Sequence, residues 1–186
     1  MEAWIREEKR RLRAERMARV RAMSPAERAR ESGRILERVL ALPGYREARV
    51  IMAFCSLPTE PDTRGILADA AAQGKTVLLP RCLEAPRMEA LPYRGEALLR
   101  PGPWGIPEPV PEAEKNSAGP EPELILVPCV AATPAGARLG HGAGYYDWFL
   151  RDRRAEKVCL CFSVQLTETL PTEETDIRMD RVITGG

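Results

Sequence analysis

Four short apolar runs most constrain what this chain can fold into: Val50 to Phe54, Val77 to Leu79, Leu124 to Val127 and Val158 to Phe162. None alternates apolar with polar residues, so each predicts a strand buried on both faces. Helical stretches stand between them, Asp62 to Gln73 in the first gap and Tyr145 to Arg154 in the last. Asp62 is the expected cap of the former and Gly74 its stop. Buried strands alternating with helices predict an α/β fold with a mainly parallel sheet flanked by helices, a three-layer α/β/α arrangement. Ligands of such sheets bind beyond the carboxyl ends of the strands.

Two helices are expected before the first strand. Glu2 to Ala22 is charged, with Ile5, Leu12 and Val20 as its apolar residues, which predicts a mostly exposed helix. In Ser24-Pro25-Ala26-Glu27 the serine can cap the next helix, proline suits its first turn, and the glutamate completes a capping box. Ile35, Leu36, Val39 and Leu40 give that helix an apolar face, and Pro43–Gly44 is expected to stop it. Residues 100–122 are rich in Pro, Gly and Glu and read as a long loop, so residues 1–186 are expected to form one domain.

The net charge of +1 gives no general affinity for nucleic acid or membrane. It hides an asymmetry, because residues 1–34 hold 11 Lys/Arg against 6 Asp/Glu, a net of +5. The basic N-terminal helix could therefore serve a local anion site. The five cysteines, Cys55, Cys82, Cys129, Cys159 and Cys161, show no CxxC spacing. They are expected as free thiols in a reducing compartment. No apolar run approaches the ~18 residues of a membrane span, and a cytoplasmic protein is expected.

The stretch Arg138 to Asp147 reads RLGHGAGYYD, with glycines at 140, 142 and 144. It follows a strand and precedes a helix. Glycine permits positive φ and lets a ligand approach backbone N–H groups closely. Such a turn forms an anion nest, and phosphate is the expected guest. Arg138 could add a bidentate contact and Asp147 a hard oxygen ligand for Mg²⁺. The spacing is neither GxGxxG nor a Walker A loop. Gly74-Lys75-Thr76 leads from helix to strand, the reverse of a P-loop.

RLGHGAGYYDWFL resembles the signature of the 5-formyltetrahydrofolate cyclo-ligase family, whose pattern is RLGxGxGYYDxxL. Four further segments are similar to that family in order: KRRLR at Lys9–Arg13, PTEPDT at Pro58–Thr63, WGIPEP at Trp104–Pro109, and QLTETLPTEETDIRMDRVIT at Gln165–Thr184. CVAAT at Cys129–Thr133 differs from the family's common Gly-Val-Ala-Phe-Asp. The resemblance implies ATP-dependent ring closure of 5-formyltetrahydrofolate to 5,10-methenyltetrahydrofolate, with Mg²⁺, releasing ADP and phosphate. It implies that ATP binds Lys9, Arg10, Arg11, Leu12 and Arg13 on the first helix. Arg138, Leu139, Gly140, His141, Gly142, Ala143, Gly144, Tyr145 and Tyr146 would complete that site. Arg138, Tyr145 and Asp147 are the implied catalytic residues. Asp147 and Asp176 are the implied Mg²⁺ ligands, with Asp180 as the nearby substitute. Cys55, Glu60, Trp104 and Tyr145 are implied in folate binding, Glu60 accepting paired N–H bonds from the ring edge. A monomer is expected.

Two other readings stay open on sequence. One is a phosphate- or CoA-ester-recognising isomerase or transferase on a related sheet, which would need no nucleotide. The other is a nucleic-acid module using residues 1–34, although acidic residues interrupt that basic face and no aromatic set accompanies it.

Overall fold

A computed structural model describes residues 2–111 and 119–186 of the chain. Helices α1 (Glu2–Ala22), α2 (Pro25–Ala41) and α3 (Pro43–Glu47) lead into β1 (Val50–Met52), α4 (Arg64–Ala72), β2 (Thr76–Cys82) and β3 (Met88–Pro92). A two-stranded ribbon follows, β4 (Leu99–Pro101) with β5 (Pro107–Pro109). Then come β6 (Leu124–Pro128), a small hairpin of β7 (Ala131–Ala132) and β8 (Arg138–Leu139), α5 (Tyr145–Leu150), β9 (Glu156–Leu160) and β10 (Arg181–Ile183).

The main sheet has six strands in the order β10-β9-β6-β1-β2-β3. All neighbours are parallel except β2 and β3. Successive residues of the central strands feed opposite faces. Ile51, Val77, Leu79, Leu124, Leu126, Val158 and Leu160 meet α2, α3 and α4 on one side. Met52, Leu78, Ile125, Val127 and Cys159 meet Phe149 and Leu150 of α5 on the other. This is the expected three-layer α/β/α arrangement. Ile35 and Val39 of α2 are essentially inaccessible, and each such side chain contributes about 1.5–3 kcal/mol. The five cysteines are free.

Several local expectations change. Ser24 and Glu27 do form the capping box. Pro43 does not simply stop α2, because after Leu42 it opens α3. Asp62 is not the cap of α4. That position belongs to Thr63, whose hydroxyl instead donates to the Phe54 carbonyl, while Asp62 pairs with Arg64. α5 ends at Leu150 rather than Arg154, since the chain must reverse before entering β9 at Glu156. Finally, the hairpin β7–β8 lies between β6 and the glycine run, so Arg138 is a strand residue.

Candidate active site

Segments leaving the carboxyl ends of β1, β2 and β6 converge on one region, and α1 closes it from the side. Lys9, Leu12, Arg13, Arg16 and Val20 recur at i, i+3, i+4, i+7 and i+11 and define the inward face of α1. Leu12 packs on Ala131, Leu139 and Leu170. That contact fixes the helix beside the β7–β8 hairpin. Arg16 is buried and donates to the carbonyls of Val164 and Leu166.

Lys9 and Arg13 thereby reach partners far away in sequence. Lys9 Nζ donates to Glu173 Oε2 and Asp176 Oδ2, each at 2.7 Å. Burial lowers the pKa of this ammonium, and the hydrogen bonds to Asp176 and Glu173 more than offset that, leaving it above the ordinary lysine value. Arg13 Nε donates to the Gly140 carbonyl at 2.8 Å.

The glycine loop is shaped by these guanidinium groups. A Cβ at Gly140 would stand 2.8 Å from Arg138 Nη1, so a side chain there would press on the buried arginine. Gly142 has φ +108°, and a Cβ there would lie 3.3 Å from the Arg13 guanidinium carbon. Both positive φ and close approach favour glycine. Arg138 has a side chain only 3% exposed. It donates to the Pro128 carbonyl at 3.3 Å and to Asp147 Oδ1 at 3.0 Å, and lies over the Tyr146 ring. Asp147 Oδ1 also accepts the Ile177 N–H at 3.2 Å. The segment that carries Asp176 is thereby tied to the start of α5.

Glu60 sits across the loop, its side chain 5% exposed. Its Oε2 accepts the Leu57 N–H at 2.8 Å, and its Oε1 lies 3.2 Å from His141 Nε2. Tyr146 turns a buried hydroxyl toward this region, and that oxygen has no hydrogen-bond partner among the described residues. Burial and then the Glu60 charge push its pKa well above the ordinary phenol value. Tyr145, one residue earlier, donates weakly to the Leu83 carbonyl beyond β2. Burial also raises the pKa of the half-buried Cys55 thiol.

The model of the 5-formyltetrahydrofolate cyclo-ligase family matches residues 5–185. The chain belongs to this family. Its ligase relatives include the mouse 5-formyltetrahydrofolate cyclo-ligase, 32% identical over 94% of this chain and 92% of that protein. The Escherichia coli K12 cyclo-ligase is 28% identical over 88% of this chain and 93% of its own. The solution structure of Aquifex aeolicus 5,10-methenyltetrahydrofolate synthetase superposes with a TM-score of 0.80 at 28% identity, covering 94% of this chain and 88% of that one.

Not every expected cyclo-ligase site residue is brought to the loop. Arg10 and Arg11 are exposed and pair with Glu7 and Glu8, Arg10 about a quarter of a turn from Lys9 and Arg11 on the side of α1 roughly opposite it. Asp180 accepts the backbone N–H of Lys157, at the amino end of β9 and so at the opposite end of the strands from the loop. The Trp104 side chain lies outside the described residues. Glu173 was missed by sequence reasoning, although a run of acids in PTEETD, read against a basic helix, was the available signal. The carbonyl of Leu83 and the N–H of Ile177 carry no such signal, since any residue supplies them.

No group of three or more His, Cys, Asp or Glu that could hold a metal occurs among the described residues. Asp147 and Asp176 nevertheless supply two carboxylates on adjoining segments. One or two carboxylates, with water and phosphate oxygens, suit Mg²⁺ rather than an all-protein cage.

Proposed function

We propose that this protein, acting as a monomeric single domain in the cytoplasm, closes 5-formyltetrahydrofolate to 5,10-methenyltetrahydrofolate with conversion of ATP to ADP and phosphate. The observation that carries the ATP-dependent reading is the hydrogen bond of Arg13 to the Gly140 carbonyl, which sets its guanidinium beside Gly142. It joins a basic helix to a glycine loop 127 residues away, which makes a cationic rim around backbone able to approach phosphate.

In this reading the formyl oxygen takes the γ-phosphoryl group and ADP leaves. N10 then attacks the formyl carbon and loses its proton, and the oxygen departs within phosphate. Such chemistry asks for positioning and charge neutralisation more than for a nucleophilic side chain. Lys9, Arg13 and Arg138 supply the cations, and the backbone of residues 140–144 supplies the phosphate loop. Glu60 holds the pterin edge, with Tyr145, Cys55 and Trp104 around the folate. Asp147 and Asp176 would hold Mg²⁺, which when bound neutralises phosphate charge. Arg10 and Arg11 have no direct part. Acidic partners interrupt the basic outer face of α1 among the described residues, which speaks against a nucleic-acid role.

The test mixes the protein with Mg·ATP and 5-formyltetrahydrofolate and follows the near-ultraviolet band of the methenyl product. ATP-dependent growth of that band is expected. Asp147→Ala is expected to lower turnover about 10²–10³-fold, comparable to losing one charge-stabilising group. It also strips the buried Arg138 of its carboxylate, which costs about 2–3 kcal/mol of stability. Full turnover in folded Asp147→Ala protein removes Asp147 from the mechanism.

A further inference from the structure

The single histidine of the chain makes a contact that the reaction does not explain. His141 stands between Gly140 and Gly142, and its side chain is 46% exposed. It reaches across to Glu60, which lies 81 positions earlier and is almost fully covered. The Leu57 N–H holds Oε2 of that carboxylate, so Oε1 is the oxygen turned to the loop. There it meets a flat heteroaromatic ring presenting nitrogen.

We propose that His141 is a latch: its imidazole occupies the Glu60 oxygen that a heterocyclic substrate needs, and substrate must displace it to bind. The inference rests on the reading above in one respect, that Glu60 receives the N–H edge of the pterin. A carboxylate with 5% exposure has little room for a second in-plane donor on Oε1 while the imidazole stays. The ring can leave at low cost. It is half in solvent, and the glycines on either side let the backbone pivot. His141 is thus a positioning residue. It couples the two halves of the site, because the loop that faces Arg13 is tied to the carboxylate that faces the folate. Folate entry unties the loop. By linkage, any ligand that draws His141 away from Glu60 favours folate by the same factor.

Equilibrium binding of 5-formyltetrahydrofolate without nucleotide tests this by calorimetry. His141→Ala is expected to tighten the dissociation constant about five- to tenfold, the scale of one partly exposed hydrogen bond to a charged group. His141→Gln keeps an N–H donor and is expected to stay near the wild-type value. Equal or weaker binding by His141→Ala overturns the latch. If the wild-type protein binds no 5-formyltetrahydrofolate, the folate reading is what fails. The latch is then judged by amide hydrogen exchange in the unliganded protein: His141→Ala should speed exchange across residues 140–144 and His141→Gln should not. Unchanged exchange in His141→Ala overturns it.

Discussion

Lys9, Arg13 and Arg16 share a helix with Arg10, Arg11 and Arg19, and the two sets differ in little but helical phase. The first set turns inward. Apart from a 3.7 Å approach of Arg16 to its neighbour Glu15, its partners are Glu173, Asp176, the Gly140 carbonyl and the carbonyls of Val164 and Leu166, all far away in sequence. The second set turns outward and pairs with Glu7, Glu8 and Glu15 three or four positions away. Exposed pairs of that kind are worth about 0.2–1 kcal/mol. Lys9 and Arg16, buried and with two distant acceptors each, instead help fix where the helix docks. Composition counts the two sets alike. What separates them is the surface each one meets.

Substitution can break this division or sharpen it. Lys9→Ala and Arg13→Ala are expected to keep the far-ultraviolet circular dichroism of the fold and to lower turnover about 10²–10³-fold. Wild-type turnover in either variant would strip the inward set of its functional meaning. Arg16→Ala should act on stability instead. It leaves two partly buried carbonyls without this donor, at a cost of about 1–2 kcal/mol, read as a lower urea midpoint at constant slope. An unshifted midpoint would mean that the 164–166 turn needs no anchor. The smallest effects belong to Arg10→Ala, Arg11→Ala and Arg19→Ala. Each should stay within about 0.5 kcal/mol in stability and about twofold in turnover. A large loss in any of them would merge the two sets.

The same contrast explains how much could be read from sequence. The four central strands stood out because burial on both faces writes a continuous apolar run. Edge strands leave no such mark. β3 carries Glu89 and ends in Pro92, β10 is three residues long and begins with an arginine, and β7 and β8 have two residues each. The glycine loop and its flanking residues were legible, because glycine and charged side chains announce themselves. The phase of α1 was only half legible. Ile5, Leu12 and Val20 mark an inward stripe, but a lysine or arginine on that stripe looks like one beside it. Glu108 illustrates the remainder. It is a buried carboxylate whose Oε1 accepts the Cys82 N–H, and burial, aided by that charge, pushes the Cys82 thiol pKa up to about 12. In sequence it is one more acid in a proline-rich loop.

The inward cations have a further consequence. Around the loop, Lys9, Arg13 and Arg138 stand among four carboxylates, Glu173, Asp176, Asp147 and Glu60, so the positive charge is matched by internal acids. Such a place behaves as an ion exchanger, not as a magnet. An incoming polyanion gains each contact by substituting for an internal acid, so its uptake should vary with ionic strength far less steeply than three uncompensated cations would demand.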